Sequence, residues 1–160
     1  MRWIRATGGQ GTDNKMIVLV QATILTVGLS GREEVLRELP IRLIRMRRGF
    51  EAARSLKNEK VDSVISNWDL EDMEEGQFLR RLKSVKPDIP TIVFVRSGDK
   101  AQEIAARSLG VSAVLTEDAS DELFKETVAN VLGLRGLVSI KSISSSESKR
   151  GRRNRTRTAK

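Results

Sequence analysis

Apolar residues in this chain come in short, nearly unbroken runs, and between the runs they recur every third or fourth position. The first kind of pattern predicts buried strands and the second predicts amphipathic helices. Thr23–Gly28 is rich in β-branched residues and reads as a strand, with Ile17–Val20 either its extension or a separate edge strand. Ser30 with Glu33 three residues on has the form of a capping box. It predicts a helix to Leu39, stopped by Pro40, with Val35, Leu36 and Leu39 on one face. Ile41–Met46 alternates weakly, as a second strand. From Gly49, the residues Phe50, Ala53 and Leu56 recur at helical spacing. Ser63–Asn67 is a third strand, followed by an acidic loop closed by Gly76 and a helix with Phe78, Leu79, Leu82 and Val85 inward.

Pro87 and Pro90 bracket a loop that leads into Thr91–Val95, a fourth strand without a polar break, as expected where helices cover both faces. Asp99 with Gln102 caps the next helix, and Gly110 ends it. Val111–Thr116 is a fifth strand. A last helix follows Asp118–Ser120, with Leu123, Phe124, Thr127, Val128, Val131 and Leu132 on its apolar face and Gly133 after it. Five strands alternating with five helices predict an α/β fold, a doubly wound parallel sheet with helices on both faces. In such sheets the functional site lies beyond the carboxyl ends of the strands, which directs attention to Asn67 and the loop after it.

Charge changes the picture at one end only. Residues 141–160 hold eight Lys and Arg against Glu147 alone, a charge of +7. The other 140 residues carry 21 basic and 20 acidic groups, so the folded part is close to neutral. The organisation expected is a flexible arm at 1–15, a domain at 16–137 and a disordered basic tail at 138–160, with too little sequence after 137 for another domain. Met16 is an alternative start of translation. Lys149, Arg150, Arg152, Arg153, Arg155 and Arg157 are candidate contacts for a polyanion: nucleic acid, anionic lipid or acidic protein. No aromatic is interleaved among them, so base stacking is not on offer.

The absence of Cys and His removes disulfides, thiolate and imidazole metal sites, and His-dependent catalysis. The apolar run Met16–Leu29 is too short for the ~20 residues a membrane span requires. A cytoplasmic protein without a membrane span is expected. Gly8–Gly11 lacks the Lys and the preceding strand of a phosphate-binding loop. Arg42, Arg45, Arg47 and Arg48 gather about the second strand and the turn after it, either as a basic surface for an acidic partner or as charges that guard a sheet edge. Trp68 is expected half-exposed, as an interface anchor or as cover for a vacated pocket.

Three stretches carry a resemblance: Val64-Ile-Ser-Asn-Trp68 with Met73 and Gly76, Pro87-Asp-Ile-Pro-Thr-Ile-Val93, and Ala105–Val114 with its small-residue helix, Gly110 and buried strand. Through them residues 23–134 resemble the receiver domain of two-component response regulators. The resemblance implies a flavodoxin-like sheet of order 2-1-3-4-5. It also implies an aspartyl phosphorylation site, and there the sequence departs from the family. The acidic pair that binds magnesium is matched by Gly28 and Leu29, and the phospho-accepting Asp by Asn67. The switch Thr or Ser is matched by Val95, the switch aromatic by Val114, and the Lys by Glu117.

A carboxamide is a poor nucleophile, and Gly28 and Leu29 give no side-chain oxygen to a divalent cation. Glu117 would repel phosphate. The expectation is a pseudo-receiver without catalysis, cofactor or metal, which signals by protein contact. The family resemblance points to the fourth helix, fifth strand and fifth helix, residues about 99–132, as the contact face, and a homodimer is an open alternative. Two other readings stand beside it: a nucleic-acid-associated regulator using the tail, and a phosphorylated receiver with an acceptor relocated among Asp69, Glu71, Asp72, Glu74 and Glu75. Glu117 facing Asn67 is expected to hydrogen-bond with it.

Overall fold

The computed structural model of the protein describes residues 2–6 and 17–134. Strands β2 (Ile17–Val27), β3 (Ile41–Met46), β4 (Ser63–Asn67), β5 (Thr91–Val95) and β6 (Ala113–Thr116) form a parallel sheet of order β3-β2-β4-β5-β6. Numbered within the parallel set, this is the expected order 2-1-3-4-5. Helices α1 (Gly49–Asn58), α2 (Gln77–Val85), α3 (Lys100–Ser108) and α4 (Asp121–Leu132) fill the crossovers, and a 3-10 helix at Arg32–Glu38 stands between β2 and β3. Every residue of β5 and four of five in β4 are buried, as continuous apolar runs require when both faces are covered.

Two cores result. On one face Leu25, Val64, Val93 and Val95 pack against Ala52 and Leu56 of α1, Phe78, Leu79 and Leu82 of α2, and Ala106 of α3. On the other, Ile24, Ile65, Ile92 and Phe94 pack against Leu36 of the 3-10 helix and Phe124 and Val128 of α4. Phe94 and Phe124 meet edge to face with ring centroids 5.0 Å apart. Asp99 accepts the N–H of Gln102 and caps α3 as expected, and Gly110 and Gly133 take the left-handed conformation past α3 and α4.

The structure corrects the sequence reading at several places. Ile17–Val20 continues the first parallel strand, and Arg2–Ala6, placed in the expected arm, is a strand (β1) antiparallel to it. The segments 7–16 and 135–160, with the remainder of the arm and all the tail arginines, lie outside the described residues. The helix expected after Ser30 is a 3-10 helix, and no capping box forms. Ser30 is left-handed (φ 55°), Gly31 occupies the cap, and Glu33 is buried with an oxygen 3.6 Å from Arg45 Nε on β3.

Phe50 is exposed rather than inward. Helix α1 turns Gly49, Ala52 and Leu56 to the core, and a residue one place from Gly49 is rotated by about 100° away from it. Val85, the last residue of α2, is also exposed, and Ile89 joins that core instead. Leu123 lies outside the buried strip of Phe124, Val128 and Ala129, so the apolar face of α4 is narrower than expected.

Candidate functional site

The carboxyl ends of β2, β4, β5 and β6 bring Gly28, Asn67, Val95 and Glu117 to one edge of the sheet. Asn67 ends β4, where parallel pairing to β5 places it beside Phe94. Its Nδ2 donates to the carbonyl of Gly28 at 2.6 Å. The side chain at the end of β4 is thus a hydrogen-bond donor spent on the backbone at the adjacent strand's end. Glu117 does not meet it, contrary to expectation. Glu117 is exposed, its N–H donates to Val95 O at 2.9 Å, and its carbonyl accepts from Arg32 Nη1 at 2.7 Å.

The other positions singled out in the sequence turn inward. Leu29 is buried in the core shared with α4. Val95 is buried in the core of the opposite face, and Val114 is partly buried against that same core. Gly28 has φ +71°, and a β-carbon there would lie 2.6 Å from Leu70 Cδ2. A larger residue therefore meets both a strained backbone and an occupied space.

The loop after β4 is built around that occupancy. Trp68 is 5% exposed, not half-exposed, and its six-membered ring lies against Gly76, where a β-carbon would come within 2.5 Å of it. Leu70 seats between Gly28 and Gly49, and Met73 seats on Gly49. Reciprocal backbone bonds between Leu70 and Met73 and a bond from Gly76 N to Trp68 O (3.1 Å) close the loop on itself. Three apolar side chains of one acidic loop therefore fill the space at the carboxyl edge, while its carboxylates face outward.

Those carboxylates have structural work. Asp72 accepts from the N–H groups of Gly49 (2.8 Å) and Phe50 (2.9 Å), capping α1 from a different loop. Desolvation pushes the Asp72 carboxyl up, but the N–H bonds from Phe50 and Gly49, with its own N–H and the charge of Arg48, outweigh it, and the net direction is down from 3.8. Asp69 accepts from Glu75 N at 2.8 Å and from Gln102 Nε2 at 3.1 Å, with Arg96 Nη2 at 3.7 Å. Gln102 in turn accepts from Arg96 N at 2.9 Å. This Asp69–Gln102–Arg96 group ties the loop after β4 to the start of α3. It forms part of the rim of an open cleft of about 700 Å³ with Trp68 in its lining. Among the described residues no three carboxylates come together in a way that could hold a metal ion.

Arg32 is the residue that sequence reasoning missed. Its guanidinium lies 4.5 Å from the centre of the Phe94 ring and donates to the carbonyls of Glu117 and Ala119. A cation from the loop after β2 thereby pins the loop after β6. Beside it, the hydroxyl of Thr116, then that of Ser97, holds the Asp118 carboxyl below its usual range. Nothing in the local sequence marks Arg32, because its partners are more than 60 residues away.

This arrangement of strands and loops is shared with receivers of known structure. The signal receiver domain of an HD domain-containing protein from Pseudomonas fluorescens Pf-5 superposes with a TM-score of 0.65 and 23% identity, over 73% of this chain and 98% of that one. The receiver domain of the sensor histidine kinase PA1611 from Pseudomonas aeruginosa PAO1, whose cleft holds a coordinated magnesium ion, gives 0.62 at 16% identity over 71% and 99%. Both likenesses speak to the fold.

In sequence, the transcriptional regulatory protein GlrR of Escherichia coli (strain K12) is 30% identical over 84 residues, which are 52% of this chain and 19% of that protein. A chemotaxis protein CheY homolog of Campylobacter jejuni is 29% identical over 79 residues, 48% of this chain and 61% of that one. The chain thus spans a fifth of the first relative and about three fifths of the second. No family model matches. The described residues thus have the fold of these receivers, a CheY-like parallel sheet of order 2-1-3-4-5 with flanking helices. No helix among the described residues is long and apolar enough to cross a membrane.

Proposed function

We propose that this receiver-like domain signals by protein contact and does not act as an aspartyl phosphate acceptor. The observation that carries the reading is the bond from Asn67 Nδ2 to Gly28 O. A phosphoryl acceptor needs an anionic oxygen at that point and a cation held beside it. Here the position presents an amide donor, Leu29 is buried, and Leu70 occupies the space a side chain at Gly28 would take. A relocated acceptor in the loop is disfavoured because Asp69 and Asp72 accept hydrogen bonds that hold the loop and α1 in place.

The partner face in this reading is α3–β6–α4, residues about 99–132. It includes Ile104, 66% exposed on α3, and Leu123 on α4. Exposed aliphatic residues on helices that flank an edge strand provide apolar area for a partner to cover. Incubation with acetyl phosphate and magnesium followed by intact-mass measurement tests the reading. No gain of a phosphoryl group is expected, and a gain mapping to residues 67–76 overturns it.

A second reading rests on the +7 charge of residues 141–160: the tail adds sequence-independent affinity for nucleic acid. Removal of residues 138–160 would then abolish a salt-sensitive mobility shift, and an unchanged shift would discard that reading.

A further inference from the structure

We infer that the corner between β3 and α1 is a docking site for an acidic, extended peptide segment of a protein partner, separate from the α3–β6–α4 face. Arg47 and Arg48 in the turn, Phe50 in the first turn of α1 and Arg54 one turn later are all exposed, Phe50 at 57%. Phe50 and Arg54, four residues apart, share one side of the helix. On β3, Arg42 is spaced two and four residues from Ile44 and Met46, which pack against the core under α1, so it lies on the same face of the sheet.

The charges in this corner are not consumed internally. Arg45 is paired with Glu33 and Glu34, and Arg37 with Glu34, but Arg42, Arg47 and Arg54 have no ion-pair partner among the described residues. Arg48 lowers the Asp72 carboxyl without a salt bridge to it. Glu51 is the acidic residue in the first turn of α1, and four arginines outnumber it. Charges alone would serve to guard an edge strand. A large exposed aromatic among them does not serve that purpose, because it adds the apolar area that a guarded edge avoids. Arginine with an aromatic side chain is instead the composition of a binding hot spot.

The sheet decides between peptide and nucleic acid. β3 pairs with β2 alone among the described strands, so its outer backbone N–H and C=O groups form a free edge. An extended peptide completes those hydrogen bonds by adding a strand, and its carboxylates then reach Arg42 at one end and Arg47, Arg48 and Arg54 at the other. Nucleic acid cannot complete a sheet edge, and one aromatic does not make a row of stacking platforms.

The test is a fluorescence anisotropy titration of the full chain with a labelled, glutamate-rich synthetic peptide carrying one central leucine. R47E/R48E should weaken saturable binding by about tenfold or more. F50A should weaken it by about fivefold. The tail variant R152Q/R153Q/R155Q/R157Q and the face variant I104E/L123E should each change it by less than about twofold. Unchanged far-UV circular dichroism melts would show that the corner variants remain folded. The proposal is overturned by an absence of saturable binding to the full chain, by binding that follows the tail variant and not the corner variants, or by single-stranded DNA displacing the peptide with the same dependence on Arg47 and Arg48. Because I104E/L123E is a separate arm, loss of the α3–β6–α4 reading would leave this result standing.

Discussion

Two loops at the same end of the sheet, one after β3 and one after β4, treat their side chains in opposite ways. Residues 68–76 turn Trp68, Leu70 and Met73 inward onto glycines and use Asp69 and Asp72 to hold neighbouring elements. Residues 47–50 turn Arg47, Arg48 and Phe50 outward, and neither arginine has a salt bridge among the described residues. The two loops touch at Gly49, which Met73 and Leu70 cover and Asp72 caps. The inward order of one loop thus sets the outward display of the other: with Gly49 pinned to the core, the helix must present Phe50 to solvent. In this molecule the edge at the carboxyl ends of β2 and β4 is given over to packing, and the turn beside it displays exposed arginines and an exposed aromatic.

The comparison can be broken most severely at Trp68. Trp68→Ala should cost about 3–5 kcal/mol, the range for truncating a buried aromatic, read by chemical denaturation. A cost under about 1 kcal/mol would mean that the loop collapses over the gap and that its packing is not specific. Gly76→Ala comes next, with about 2–4 kcal/mol expected from a β-carbon driven into the Trp68 ring at a left-handed backbone position.

Asn67→Asp sharpens the comparison chemically. At neutral pH the new carboxylate would face the Gly28 carbonyl in place of a donor, and about 1–3 kcal/mol should be lost. Relative to the unsubstituted protein the loss should shrink in acid, where a protonated carboxyl again donates. Magnesium should not rescue the variant. A melting temperature that rises on addition of magnesium would show that a cation site persists.

Asp72→Ala should remove the cap of α1 at a cost of about 1 kcal/mol. The direction of the Asp72 shift fixes the pH dependence. Its folded value lies below 3.8, so its contribution is present above that value and is lost as pH falls through the folded value. The difference between Asp72→Ala and the unsubstituted protein should therefore narrow only in strong acid, and a difference that narrows near neutrality would discard the capping account. The smallest effect belongs to R47E/R48E, which should leave stability within about 0.5 kcal/mol while it changes binding. A larger loss would mean that these arginines are structural.

Much of the fold was legible because buried parallel strands such as Thr91–Val95 are continuous apolar runs and the punctuation by Pro87, Pro90, Gly110 and Gly133 is local. Asn67, Gly28 and Val95 could be placed at one edge because each stands at or just past a strand end. What the sequence hid depends on contacts between distant residues. The Ser30–Glu33 spacing looked like a capping box, but Glu33 is buried with an oxygen 3.6 Å from Arg45 of β3, and the turn is a 3-10 helix. Phe50 and Ala53 fit a helical repeat, yet the close approach of Met73 to Gly49 fixes which face of α1 is buried. Arg32 gave no signal because its interactions are with two backbone carbonyls and a ring on other elements.

The seat of Leu70 between Gly28 and Gly49 couples positions 28 and 70 in any attempt to engineer a phosphate acceptor here. An aspartate at Gly28 would bring its β-carbon to 2.6 Å from Leu70 Cδ2, so the end of that side chain must shift, and the left-handed backbone adds strain. Shortening Leu70 frees that space, and that change by itself leaves a void beneath the loop. Single-step screens for magnesium binding would meet the strain at position 28 and the void at position 70 as separate losses of stability. A library that varies positions 28, 67 and 70 together is the one that can contain a working combination.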